Sequence, residues 1–124
     1  MIVDDDLCFR RILHLALESH GYEVENAADG KEALDRFAAH APDLVVLDWH
    51  LPGMDGIATC QALRQRSGVP VILASANRRN SQAAALAAGA NDYLPKPFSI
   101  DQLLACVESV LGHSTGPAVP AGRL

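Results

Sequence analysis

Residues 44–56 read LVVLDWHLPGMDG. Leu44, Val45, Val46 and Leu47 are an unbroken apolar run, the pattern of a parallel strand buried on both faces. Asp48 ends the run and Leu51-Pro52-Gly53 is loop. Asp55 can then cap a helix that carries Ile57, Cys60 and Leu63 inward. A buried strand followed by an amphipathic helix is the repeating unit of an α/β sheet, so the flanking sequence decides whether the unit recurs.

It recurs on both sides. Upstream, Met1-Ile2-Val3 is an apolar stub that ends at three aspartates. Phe9, Ile12, Leu13, Ala16 and Leu17 then mark one helix face, and Gly21 stops that helix. Tyr22 to Glu25 alternates and reads as a short strand. Asp29 and Glu32 have capping-box spacing ahead of a helix with Ala33, Leu34, Phe37 and Ala41 inward, ended by Pro42. Downstream, Val69 to Ala74 is a second buried strand. An alanine-rich helix covers about Ser81 to Ala88 and stops at Gly89, and Asp92 to Pro95 is a last short strand. Ser99 and Gln102 form another capping box. The helix it opens carries Ile100, Leu103, Leu104, Val107, Val110 and Leu111 on one face and is closed by Gly112. Strand and helix alternate five times, which predicts a parallel sheet with helices on both faces over residues 1–112. Residues 113–124, HSTGPAVPAGRL, lack periodicity and read as a tail or linker.

Composition narrows the class. The chain has 124 residues, 49% of them apolar, which is one domain with a real core. The net charge of −5 and the absence of a basic run argue against direct nucleic-acid binding by this segment. No stretch is long enough to span a membrane, and the start lacks the layout of a secretory leader. Cys8, Cys60 and Cys106 are odd in number and far apart, neither a disulfide framework nor a zinc pattern. They read as buried free thiols on helices, which fits a reducing, cytoplasmic setting.

In such sheets ligands bind at the carboxyl ends of the strands. Those ends carry Asp4, Asp5 and Asp6 after the first strand, Asp48 after the third, Ser75 after the fourth and Lys96 after the fifth. Two carboxylates about 4 Å apart repel by about 4 kcal/mol at an effective dielectric near 20. They must share a proton, pair with Lys96 or bind a cation. An all-oxygen set favours Mg²⁺ or a similar hard ion such as Mn²⁺. A metal-bound carboxylate facing a phosphoryl donor can act as a nucleophile, with Lys96 and Ser75 placed to stabilise the transferred group.

The segments IVDDD at 2–6, LDWHLPGMDG at 47–56, SA at 75–76 and AGANDYLPKPF at 88–98 together resemble the receiver domains of two-component response regulators, over roughly residues 1–111. The resemblance implies a flavodoxin-like (βα)5 fold, doubly wound, with strand order 2-1-3-4-5. It implies Asp48 as phosphoacceptor and Asp5 as direct metal ligand. Asp4 would act mainly through water, and the backbone carbonyl of His50 would be a further ligand beside Asp48. Lys96 would pair with the phosphoryl group, the Lys96–Pro97 bond would be cis, and Ser75 with Tyr93 would form the switch. The implied donor is a histidine kinase or histidine phosphotransfer protein. An output domain, a downstream protein or a phosphorylation-dependent dimer would read the surface of the fourth helix, fifth strand and fifth helix.

Some features depart from the pattern or point elsewhere. The first strand has only three residues before Asp4, where five or six are usual. His50 and Asn77 occupy positions that flank the attacking water in the family. Arg78 and Arg79 read as a solvated pair, with a partner contact as the alternative. His14, His20, His40 and His113 stand singly and read as surface residues rather than phosphohistidine donors. An aspartyl-nucleophile phosphatase would need a second acid two residues after Asp48, where His50 stands. A phosphorylation-independent scaffold would not need Asp5, Asp48, Ser75 and Lys96 together.

Overall fold

A computed structural model describes residues 1–76 and 81–112. Five strand–helix units follow in order: β1 (Ile2–Val3), α1 (Leu7–Glu18), β2 (Asn26–Ala27), α2 (Gly30–Ala39), β3 (Val45–Asp48), α3 (Gly56–Arg66), β4 (Val71–Ser75), α4 (Ser81–Ala87), β5 (Asp92–Pro95) and α5 (Ile100–Leu111). The strands form one parallel sheet in the order β2-β1-β3-β4-β5. The chain leaves β1 toward β2 on one side and returns to β3 on the other. The carboxyl ends of β1 and β3 therefore flank the crevice where the winding reverses.

Strand side chains alternate between two apolar layers, as the two-residue period requires. Val3, Val45, Leu47, Val71 and Leu73 face α2, α3 and α4, where Leu34, Phe37, Leu63 and Ala85 meet them. Ile2, Val46, Ile72 and Leu94 face α1 and α5, against Leu13, Leu17, Leu103 and Val107. Burial on both faces is what the continuous apolar run at 44–47 required.

The helix starts follow the capping residues. Asp6, Asp29, Asp55 and Ser99 each accept a hydrogen bond from the backbone three residues on. Ser99 and Gln102 complete a reciprocal capping box. At Asp29 only the forward half forms, because the Glu32 carboxylate reaches on to Arg36 Nε at 3.0 Å. Gly56 lets α3 press against the end of β3: its N–H donates to the Trp49 carbonyl at 2.8 Å, and a Cβ there would collide with the Asp48 carbonyl.

Several expectations need correction. The second strand is Asn26–Ala27, not Tyr22 to Glu25. Its register is set by the two-residue β1, whose Ile2 pairs with Asn26 and Val3 with Ala27, while Tyr22 is buried in the α1/α5 layer. Ile12 is 57% exposed, because the buried stripe of α1 is narrow and centred on Leu13 and Leu17. Cys8 is exposed for the same reason, one residue off that stripe; Cys60 is buried and Cys106 half-buried. Ala41 is exposed, since α2 ends at Ala39 and helical periodicity stops there. Residues 77, 78 and 79 and the tail at 113–124 lie outside the described residues.

Among the described residues no helix is long and apolar enough to cross a membrane.

Candidate functional site

The crevice at the carboxyl end of the sheet is lined by Asp4, Asp5, Asp6, Phe9, Asp48, His50, Ala76, Lys96, Pro97 and Phe98, around about 570 Å³ of space. Each of the five parallel strands points its carboxyl end the same way. Residues remote in sequence converge there for that reason alone.

Asp4 and Asp48 are buried and Asp5 is exposed. One carboxylate oxygen from each of the three lies within 4.8 Å of the other two. Asp4 is held from two sides: its Oδ1 accepts from the Asp6 N–H at 2.9 Å, and its backbone carbonyl accepts from Arg10 Nη1 at 2.7 Å. Lys96 lies between the two buried acids, with Nζ 3.4 Å from Asp4 Oδ2 and 3.3 Å from Asp48 Oδ1. The Lys96 backbone is fixed by its own N–H, which donates to the Ser75 carbonyl at 2.8 Å. The Lys96–Pro97 bond is cis.

Burial pushes the Asp48 carboxyl above the ordinary carboxylate range, and the nearby charge of Asp4 adds to this. Lys96 and the His50 backbone N–H, which donates to Asp48, pull it back down. Two acids and one lysine leave the pocket short of positive charge. A divalent cation would supply it, and oxygen donors in this number and spacing suit a hard ion such as Mg²⁺.

Ser75 is fully buried at the end of β4. The half-buried Tyr93 on β5 donates its hydroxyl to the Ser75 carbonyl at 3.2 Å and meets Trp49 edge to face, 6.4 Å between ring centres. The structure thus brings Asp4, Asp5, Asp48, His50 and Lys96 to one crevice and sets Ser75 and Tyr93 in contact beside it. Asp55 caps α3 and is not among the residues lining the crevice.

Two residues that line the site, Phe9 and Phe98, carry no functional role in the sequence reading. Phe9 packs against the core as its place on the apolar face of α1 requires, and its ring also lies beneath Lys96 Nζ, 4.7 Å from ring centre to nitrogen. Phe98 packs edge to face on Phe9, with 5.7 Å between ring centres. A helical side chain tilts toward the helix N-terminus, so a first-turn residue on the buried stripe overhangs the acid loop before it. That rule was the available signal for Phe9.

Comparison with known proteins places the chain beside one family. The family model for the response regulator receiver domain matches residues 1–108. The chain is 44% identical over 117 residues to the response regulator MprA of Mycolicibacterium vanbaalenii, covering 93% of this chain and 51% of that protein. It is 45% identical over 112 residues to the probable transcriptional regulator ycf27 of Porphyridium aerugineum, covering 90% and 47%. The chain spans about half the length of the curated relatives it matches. Among solved structures, a putative response regulator from Chloroflexus aurantiacus superposes with a TM-score of 0.85 at 38% identity, covering 90% of this chain and 95% of that one. A chemotaxis protein of Vibrio cholerae superposes with a TM-score of 0.83 at 32% identity, covering 88% and 94%.

Proposed function

The chain belongs to the response regulator receiver domain family of two-component signalling, and from that premise we propose that Asp48 accepts a phosphoryl group from a phosphohistidine on a histidine kinase or histidine phosphotransfer protein. The observation that carries this reading is the lysine bridge: one ammonium within 3.4 Å of two buried carboxylates at the open end of the sheet. A purely structural ion pair would need one acid, not two.

In the step proposed, a carboxylate oxygen of Asp48 forms a bond to phosphorus. The phosphorus–nitrogen bond breaks with its electron pair on the imidazole nitrogen, and the donor ring, protonated on its other nitrogen, leaves neutral. Lys96 and the His50 N–H favour the ionised form of Asp48 against its burial, and Lys96 then pairs with a phosphoryl oxygen. Asp4, Asp5 and Asp48, with the His50 carbonyl, would hold Mg²⁺ or Mn²⁺, which when bound neutralises the acids and the phosphoryl oxygens. The domain thus assists its own phosphorylation and dephosphorylation.

The Ser75 hydroxyl turning toward the phosphoryl group would alter the bond that Tyr93 makes to the Ser75 carbonyl. The surface of α4, β5 and α5 then shifts between two populations. A downstream protein, a second copy of the domain or an output domain would read that surface. Relatives about twice this length, one of them a probable transcriptional regulator, favour an output domain acting on transcription. Residues 113–124 would be the linker.

The test is intact mass after incubation with acetyl phosphate and Mg²⁺. We expect a gain of one phosphoryl group that needs the metal and is absent in Asp48→Asn. A folded protein that gains nothing would overturn the reading.

A further inference from the structure

The geometry points to Phe9 as a positioning residue for Lys96: its ring, braced by Phe98, holds the ammonium at the mouth of the acid pocket through the change of charge that phosphorylation brings. This rests on the aspartyl-phosphate reading above.

Among the described residues, three groups hold the Lys96 ammonium. Two are carboxylates, Asp4 at 3.4 Å and Asp48 at 3.3 Å. The third is the face of Phe9 at 4.7 Å, a distance at which the ring quadrupole attracts a cation. The carboxylates are inconstant partners, because both belong to the cluster suited to a metal and Asp48 is the residue that would become phosphorylated. The ring neither ionises nor binds a hard cation. Its attraction for the ammonium persists while Asp4 and Asp48 change partners.

Phe9 is itself well fixed. It stands in the first turn of α1, and its N–H donates to the Asp6 cap at 3.1 Å. Asp6 in turn donates its N–H to Asp4 Oδ1. Ring, cap and acid are therefore one connected unit on the β1–α1 side. Phe98, two residues beyond Lys96, packs edge to face against the same ring from the β5–α5 side. A leucine at position 9 would fill much of the space but present no π face.

Phe9→Leu and Phe9→Tyr test this in the full chain, with the wild type beside them. Urea unfolding and a Mg²⁺ titration of Trp49 fluorescence first establish that both variants fold with an intact acid pocket. The proton shifts of the Lys96 ε-methylene then report the ring directly. We expect an upfield ring-current shift in wild type and Phe9→Tyr that is lost in Phe9→Leu. Phosphorylation by subsaturating acetyl phosphate should slow about two- to fivefold in Phe9→Leu, the population lost with one cation–π contact, and largely recover in Phe9→Tyr. No ring-current shift in the wild type, a Phe9→Leu rate equal to wild type, or a Phe9→Tyr rate as slow as Phe9→Leu would each overturn the role. Absence of phosphorylation in the wild type would overturn the aspartyl-phosphate reading and the role with it. That failure is told apart by the ring-current shift, which would still be present.

Discussion

In a chain that begins at Met1 the amino group is buried, and converting it to an amide should make the domain more stable and less sensitive to acid. Met1 is fully buried, and its nitrogen donates to the Leu44 carbonyl at 2.8 Å, while Val46 N–H donates to the Met1 carbonyl at 2.8 Å. This is the bond pattern of a strand residue, so the amine stands where a peptide N–H belongs. Burial lowers its pKa from 8.0 to about 4, against the opposing pull of Glu25 and Asp43. Between these values the unfolded chain binds a proton that the folded chain releases. Stability therefore rises with pH across this window, by about 1.4 kcal/mol per unit where the difference is complete. The cost of folding with this amine is about 1.4 kcal/mol at pH 7, about 4 kcal/mol at pH 5, and nearly zero at pH 9.

Acetylating the amine, or adding an apolar dipeptide ahead of Met1, converts it to an amide that keeps the bond to Leu44 and cannot take up a proton. Urea unfolding of both forms, followed by Trp49 fluorescence at these three pH values, measures the difference directly. Other titrating groups are common to both chains and cancel. We expect the modified chain to gain about 1–2 kcal/mol at pH 7 and about 4 kcal/mol at pH 5, and to match the unmodified chain at pH 9. A gain that does not change with pH would refute the protonation argument, because added strand pairing alone is insensitive to pH. No gain at pH 5 would refute the burial of the amine itself.

Other perturbations follow from the same physical terms. Asp48→Asn should stabilise the metal-free protein at neutral pH, because burial and the charge of Asp4 make the ionised form unfavourable. The sign follows from a raised pKa: stability falls as pH climbs through the window above the ordinary carboxylate value, and thermal melts in chelator should show this slope flattened in the variant. Arg64→Met should cost about 2 kcal/mol in urea unfolding, since one guanidinium serves the carbonyls of Gly89, Val69 and Ser67 and the side chain of Asn91. A change under 0.5 kcal/mol would mean that water replaces those bonds without loss. With a thiol reagent at neutral pH, the native chain should react once, at Cys8, which is exposed. Cys60 is buried, and the Cys106 thiol is pushed up to about 12 by burial and by its bond to Asp92, so peptide mapping that found Cys106 labelled would contradict its placement.

What could be read from sequence was whatever chemistry acts locally. The buried run at 44–47, the caps at Asp6, Asp29, Asp55 and Ser99 and the stops at Gly21, Gly89 and Gly112 are short-range signals, and each meets its partner within a few residues. Once the strands are parallel, convergence of Asp4, Asp48, Ser75 and Lys96 at one edge follows from chain direction alone. What escaped were properties fixed by contact between elements. The second strand lies at Asn26–Ala27 because a two-residue β1 offers no other register, and no pattern within Tyr22 to Glu25 encodes that. Ile12 and Cys8 face solvent because packing chose the rotation of α1 about its axis, and a helical period leaves that angle open by about one residue. Phe9 was the more instructive miss. The face Phe9, Ile12, Leu13, Ala16 and Leu17 reads as apolar, and Phe9 does pack against the core beside Leu13 and Leu17; what the periodicity leaves out is that its ring also borders the site. In a parallel α/β sheet each helix starts at the end of the sheet where ligands bind, and each side chain leans toward that start. The first buried position of such a helix therefore borders the site as much as the core. At α1 that position holds an aromatic ring against the one lysine of the acid pocket. A sequence reading that inspects strand ends for charge should inspect the first turn of each following helix for what touches that charge.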